Sequence, residues 1–206
     1  IAMAEKIVKV ILDAKPMAML ASKGKSLTPA LQEIGAYLVN LSHKAFTDQE
    51  WQGARWIARS VPNVPGIVRD LEKGPNIQDK RFNSRPALRD TDALMNSIKS
   101  RTIGSRAIEV GSSSQYAELM HDGGPWSEEV SNTVQKNLLV MLDQSERAAS
   151  GPIKENAHIF RFLLNRKEIS GKVPPRQFLG PPKDAKEVFG NIIAKYLDPR
   201  NTKVGA

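Results

Sequence analysis

Two short alternating runs meet at a glycine near the middle of the chain, and a reversal of that kind restricts what its surroundings can become. From Ser97 the residues alternate, with Ile98, Ser100 and Thr102 on one side and Lys99, Arg101 and Ile103 on the other. That is the period of a strand, not of a helix. Gly104-Ser105 then reads as a two-residue turn whose first position favours positive φ, and Ala107, Ile108 and Val110 resume a β-prone run behind it. The stretch predicts an antiparallel hairpin. Its flanks read as helical: Thr91 caps a short turn holding Leu94 and Met95, while Ser112 to Ser114 lead into YAELMH, which Gly123-Gly124 stops.

Around the hairpin the chain reads mainly as helices. Met3 to Leu20 places Ile7, Val8, Ile11 and Leu12 on one stripe with lysines between, which predicts an amphipathic helix; Ile1 reads as a trimmed start, with Met3 the natural initiator. A second helix is expected from Thr28-Pro29 to Phe46, with Leu31, Ile34, Leu38 and Leu41 facing a core. Thr47 to Glu50 resembles a capping box for a short helix, WQGARWIARS, and from VPNVPG to Arg85 the chain reads as irregular, with Lys80, Arg81 and Arg85 gathered there. Pro125 to Ser150 reads as one long helix capped by Ser127, with Glu128 and Glu129 at its positive end. KENAHIFRFLLNRKE predicts another amphipathic segment, and a last helix runs from Asp184 to Tyr196 before Asp198-Pro199. Between them VPPRQFLGPP fixes an extended arm that displays Arg176, Phe178 and Leu179 and sets Phe178 against the core.

Composition excludes more than it identifies. With 206 residues and 40% apolar content the chain can bury a sizeable core, as one domain with an elaboration or at most two small ones; the single domain is the expectation. It has no cysteine, so no disulfide, thiol nucleophile or cysteine-ligated metal is expected. No apolar run is long enough to cross a bilayer, so no membrane partner is expected. The net charge of +8 is uneven: residues 1–68 carry +3, 69–106 carry +4, 107–150 carry −5 and 151–206 carry +6. Such a chain can meet copies of itself through opposite charges, or turn basic groups toward phosphate.

No catalytic constellation emerges. GKS at 24–26 lacks the glycine and preceding strand of a phosphate-binding loop. His43, His121 and His158 are far apart and in no metal-ligand spacing, and adjacency is expected to point the His121 and Asp122 side chains in different directions. No serine sits in a nucleophile elbow and no close pair of acids suggests glycosidase work. The expectation is a non-enzyme with neither cofactor nor metal.

Several short motifs, in order, resemble the phage virion morphogenesis family of Mu-like tail completion proteins. The family's L-x-x-T-G-x-L-x-x-S-I segment is matched by Leu88, Thr91, Leu94, Ser97 and Ile98, with Asp92 where glycine is usual. Its V-G-S strand end is matched by Val110, Gly111 and Ser112, and its Y-A helix by Tyr116, Ala117, His121 and Gly123. Its P-x-R-x-F-L-G signature is matched by Pro174, Arg176, Phe178, Leu179 and Gly180. The resemblance implies an α+β subunit in which a long N-terminal helix packs on an antiparallel sheet, here with a helical insertion at 125–170. It also implies assembly as a ring, a hexamer, at the neck or upper end of a phage tail.

The function expected from the resemblance is structural, in tail completion and head-tail joining. Copies would close a ring in the virion after assembly in the host cytoplasm, with the basic flanks of one subunit meeting Glu128 and Glu129 of the next. The ring would contact the tail tube or tail terminator on one side and head-completion or portal-side proteins on the other, and pass DNA through its lumen without reading sequence. The alternative is a basic, sequence-nonspecific nucleic-acid-binding module. A third reading, a hydrolase acting during assembly, would rest on His121.

Overall fold

The computed structural model of the chain describes residues 7–11 (backbone only), 26–58, 63–78, 81–82, 88, 92–104 and 107–197. They fold as two compact units, one drawn from Ile1–Trp56, Leu88–Gly123 and Pro175–Ala206, the other from Ile57–Ala87 and Gly124–Pro174. The architecture is α+β, with helices on small antiparallel sheets.

In the first unit the hairpin is present as β4 (Ile98–Ile103) and β5 (Ala107–Ser112). Ile103 pairs with Ala107, so the connection spans three residues, not two; Gly104 takes φ 57, and Ser105 lies outside the described residues. The third strand of this sheet is β1 (Ile7–Ile11), antiparallel to β5 with Val8 opposite Val110. That overturns the helix expected over Met3–Leu20 at these five positions; the rest of the stretch lies outside the described residues. Four of the five residues in IVKVI are β-branched, and β5 offers the partner strand that an extended segment needs for its backbone hydrogen bonds.

The long N-terminal helix is α1 (Thr28–Asp48), which lies on the sheet. Its buried row, Leu31, Ile34, Leu38, Ala45 and Phe46, follows the helical period and meets Ile98, Ile108 and Val110 of the sheet in one core. Gly35 marks the closest approach, where an added Cβ would stand 2.9 Å from Ser100 Cβ and 3.0 Å from Ile108 Cδ1. The helix starts at the expected cap itself, Thr28, so that the cap position falls to Leu27, with Pro29 in the first turn, and it ends at Gln49 in a left-handed conformation (φ 59).

Beyond Gln49 the expected short helix is replaced by a tight ribbon, β2 (Glu50–Trp51) paired with β3 (Ala54–Arg55). Gln52 and Gly53 have φ 51 and 89, the double positive φ of a hairpin turn, so Gln-Gly between two tryptophans acts as a reversal and not as helix interior. A one-turn helix α3 (Ala93–Asn96) precedes β4, entered from Asp92 at φ 53. The left-handed geometry that glycine would supply is thus adopted by aspartate, while the expected cap, Thr91, lies outside the described residues. After β5 comes α4 (Ala117–Asp122), stopped at Gly123 with φ 74.

The second unit begins with α2 (Val64–Lys73), within the stretch expected to be irregular. The prolines of VPNVPG suit a turn, yet Pro65 occupies the first helical turn, where its missing N–H costs nothing, and Ile67, Val68 and Leu71 form a buried face. The long helix expected from Pro125 to Ser150 divides: Gly124–Glu129 is a strand, β6, and the helix proper is α5 (Asn132–Arg147). Its cap is Ser131, whose Oγ accepts from Val134 N at 3.2 Å, not Ser127. The short helices α6 (Pro152–Glu155) and α7 (Ala157–Leu164) follow. Strand β7 (Glu168–Val173) pairs with β6. The 125–170 stretch is therefore a ribbon wrapped around helices. Its core joins Ile67, Leu71, Val134, Leu138, Met141, Phe160 and Leu163. The last helix, α8 (Ala185–Leu197), packs on α1 of the first unit.

Candidate functional site

The family-like motif residues converge where α4 ends and the proline-rich arm passes it. The last carbonyls of a helix have no partner inside it. Here the arm supplies one: the Arg176 N–H is 3.2 Å from Met120 O and 3.1 Å from His121 O. His121 returns the contact, its Nε2 lying 2.8 Å from Leu179 O. A carbonyl only accepts, so Nε2 carries the hydrogen. The ring of His121 meets Phe178 edge-on at 5.2 Å, and Phe178 lies 5.2 Å from Phe46 at the end of α1.

The outer side of the arm is held by the β2–β3 ribbon. Trp56 Nε1 donates to Gln177 O at 2.9 Å, and Gln52 uses its amide twice, donating to Pro181 O and accepting from Lys183 N. Trp51 covers Gly180, where a Cβ would stand 3.5 Å from the indole. Phe178, Leu179 and Arg176 are therefore enclosed, with 0%, 4% and 6% exposure. The expectation that the arm displays them is overturned: an extended proline-rich path costs little entropy to fix, and the ribbon covers it. Gln52 and Lys183 are the contributors that sequence reasoning missed, and the Gln-Gly turn signal between two tryptophans is the available clue.

His121 and Asp122 were expected to point apart, yet His121 Nδ1 lies 2.6 Å from Asp122 Oδ1. Both residues sit in the final turn of a helix that stops at Gly123, so no following turn holds their side chains apart. The pair has the outline of a catalytic dyad without its use, because the Leu179 carbonyl occupies the nitrogen that would face a substrate and the imidazole is only 5% exposed.

The remaining motif residues support this clasp from the sheet. Ser97 Oγ donates to Leu94 O at 2.6 Å and lies 2.6 Å from Ser112 Oγ, which accepts from Ser114 N. That bridge ties α3 to the far end of the hairpin. Ile98 and Val110 are buried, Leu88 (φ 61) and Leu94 are half-buried against the same core, and Gly111 pairs with both Lys99 and Ile7. Tyr116 is exposed at the start of α4, and Pro174 is half-buried just after β7.

Glu128 and Glu129 belong to the second unit. Glu128 is not at a helix terminus but on β6, 2.9 Å from Arg69 Nε. Glu129 is exposed and stands directly opposite Glu168 of β7, also exposed.

A second feature of the first unit is an open groove between α1 and α8, about 480 Å³, lined by Glu33, Ala36, Tyr37, Asn40, Val188, Asn191 and Ile192. At its edge Glu33 accepts from Lys195 Nζ at 2.9 Å and from Tyr196 OH at 2.8 Å. Those two bonds, Lys195 first, hold the Glu33 carboxyl below the ordinary carboxylate range. Burial, with the Asp184 carboxylate adding to it, pushes the Tyr37 phenol up. Among the described residues no three histidines, cysteines or acids gather as a metal site, and no helix is long and apolar enough to cross a membrane.

The sequence profile of the phage virion morphogenesis family matches residues 14–198. No curated protein and no solved structure matches the chain.

Proposed function

The chain belongs to the phage virion morphogenesis family, and from that membership we propose that it is a tail-completion subunit that closes into a ring at the neck or upper end of a phage tail. The family gives the coarse role, a structural one in virion assembly. What supports the finer reading is the clasp. His121 Nε2, the Arg176 backbone N–H, the Leu179 carbonyl and the Phe178 ring are spent on contacts within the clasp, so the family signature works there as a fixed shape.

A ring of identical subunits, expected to number six, is made by head-to-tail contacts between different patches. Glu128 is engaged by Arg69 of its own chain, which removes it from the acids offered to a neighbour. Glu129 fills that role. Facing Glu168 across the ribbon, it stands in a like-charge pair that is unfavourable alone and relieved by a cation from the next copy. One rim of the ring meets the tail tube or terminator and the other the head-completion or portal side, with DNA passing between.

The test is the mass in solution by light scattering at low and high salt, beside negative-stain imaging. A salt-sensitive particle of about six 22.7 kDa chains is the expected result. A monomer at every concentration and salt overturns spontaneous ring closure.

A further inference from the structure

Helix α7 buries one face and presents the other without an acid on it. Ile159, Phe160 and Leu163 enter the core of the second unit. His158, Arg161, Phe162 and Asn165, spaced as one helical stripe, are exposed, and exposed Arg166 and Lys167 follow at its end. From Asn156 to Lys167 there are three arginine or lysine residues and no carboxylate. Phe162 is 50% exposed, and the Arg166 guanidinium lies over its ring, 4.9 Å from the centroid. Glu155 and Glu168 flank the stretch in sequence, and Glu146 of α5 lies 3.7 Å from Arg161 with both side chains well over half exposed, a pair that salt screens readily.

We propose that this outward stripe of α7, with Arg161, Arg166 and Lys167 as its cations, is a contact surface for the phosphate backbone of duplex DNA. The inference rests on the ring reading for the presence of DNA and on charge complementarity for the surface. A guanidinium 4.9 Å above an aromatic ring is restrained by a cation–π attraction, and its planar fork of donors fits phosphate oxygens in a way a point-charge lysine does not. Phe162 is thus a positioning residue for Arg166. Contacts of this kind add affinity without sequence preference.

The deciding measurement is binding of the full-length protein to two fluorescent duplexes of about 20 base pairs and unrelated sequence, followed by anisotropy across a salt series. Both duplexes are expected to bind alike, with log Kobs falling linearly with log salt. Because each phosphate contact contributes a slope of about 0.9, Arg161→Ala/Arg166→Ala/Lys167→Ala is expected to reduce the slope by about 2 to 3. Arg161→Lys/Arg166→Lys is expected to keep it. Light scattering on the same proteins separates this inference from the ring reading. A triple variant with the wild-type slope overturns the DNA surface, and so does a wild-type ring that shows no salt-dependent duplex binding. A triple variant that binds DNA normally but no longer forms rings also overturns it and assigns the stripe to contact between copies. A wild-type protein that never forms rings strikes the ring reading alone, and the slope comparison still decides the role of α7.

Discussion

The His121 imidazole and the Leu179 carbonyl, 58 residues apart in sequence, meet at 2.8 Å in a buried contact. With Arg176 N–H bonded in the other direction, the arm and the end of α4 complete each other's hydrogen bonding. Removing the imidazole leaves a buried carbonyl unpaired and opens space beside Phe178. His121→Ala is therefore expected to lower stability by about 2–4 kcal/mol, read from urea denaturation. A loss below about 0.5 kcal/mol would show that the arm is held without it.

Phe178 tests the same junction through packing alone. It is fully buried between His121 and Phe46, so it couples the arm to both α4 and α1. Phe178→Ala is expected to cost about 3–5 kcal/mol, and Phe178→Leu roughly half of that. Thermal unfolding of the two variants against wild type gives the comparison.

Gly35 sets how closely α1 lies on the sheet. An alanine there would place Cβ within 3.0 Å of Ser100 and Ile108, whose atoms belong to a strand and a packed core and cannot swing aside. Gly35→Ala is expected to destabilise by about 1–3 kcal/mol despite the better helix propensity of alanine. Ile108→Val, which withdraws one of the clashing atoms, should recover part of the loss in Gly35→Ala/Ile108→Val.

The second unit has its own buried constraint. Asp70, 7% exposed, receives Arg81 Nε and Nη2 at 2.9 Å each and the Gln78 N–H at 3.2 Å, which ties the chain after α2 back onto that helix. Arg81→Met strands a buried carboxylate and is expected to cost about 3–5 kcal/mol, whereas Asp70→Leu/Arg81→Met should cost much less. If single and double variants lose equally, the pair is not the source of the stability.

Local pattern made part of this fold legible. The β4–β5 hairpin, α1 and α8 each declare themselves through an apolar period and breaker residues close in sequence. Strand β1 did not, because Ile7, Val8 and Ile11 suit a helical stripe as well as a strand, and the choice is made by β5 a hundred positions away. Strands β6 and β7 were hidden for the same reason: each is half of a ribbon whose other half lies beyond three helices. The motif residues could be named from sequence, but their enclosure could not, since Gln52 and Trp56 reach the arm across more than a hundred residues.

The groove edge predicts an acid sensitivity. Glu33 has its carboxyl lowered in the folded chain by its bonds to Lys195 and Tyr196, so its contribution is present above the ordinary glutamate pKa and is lost as pH falls through the lowered folded value. Stability should therefore drop between pH of about 5 and the acid limit. Because both side chains are substantially exposed, the effect should be modest and should shrink in high salt. Glu33→Gln is expected to flatten that part of the pH profile while leaving neutral-pH stability lower by less than about 1 kcal/mol. Unfolding midpoints for wild type and Glu33→Gln from pH 3 to 7 make the comparison, and parallel profiles would assign the acid loss to another carboxylate.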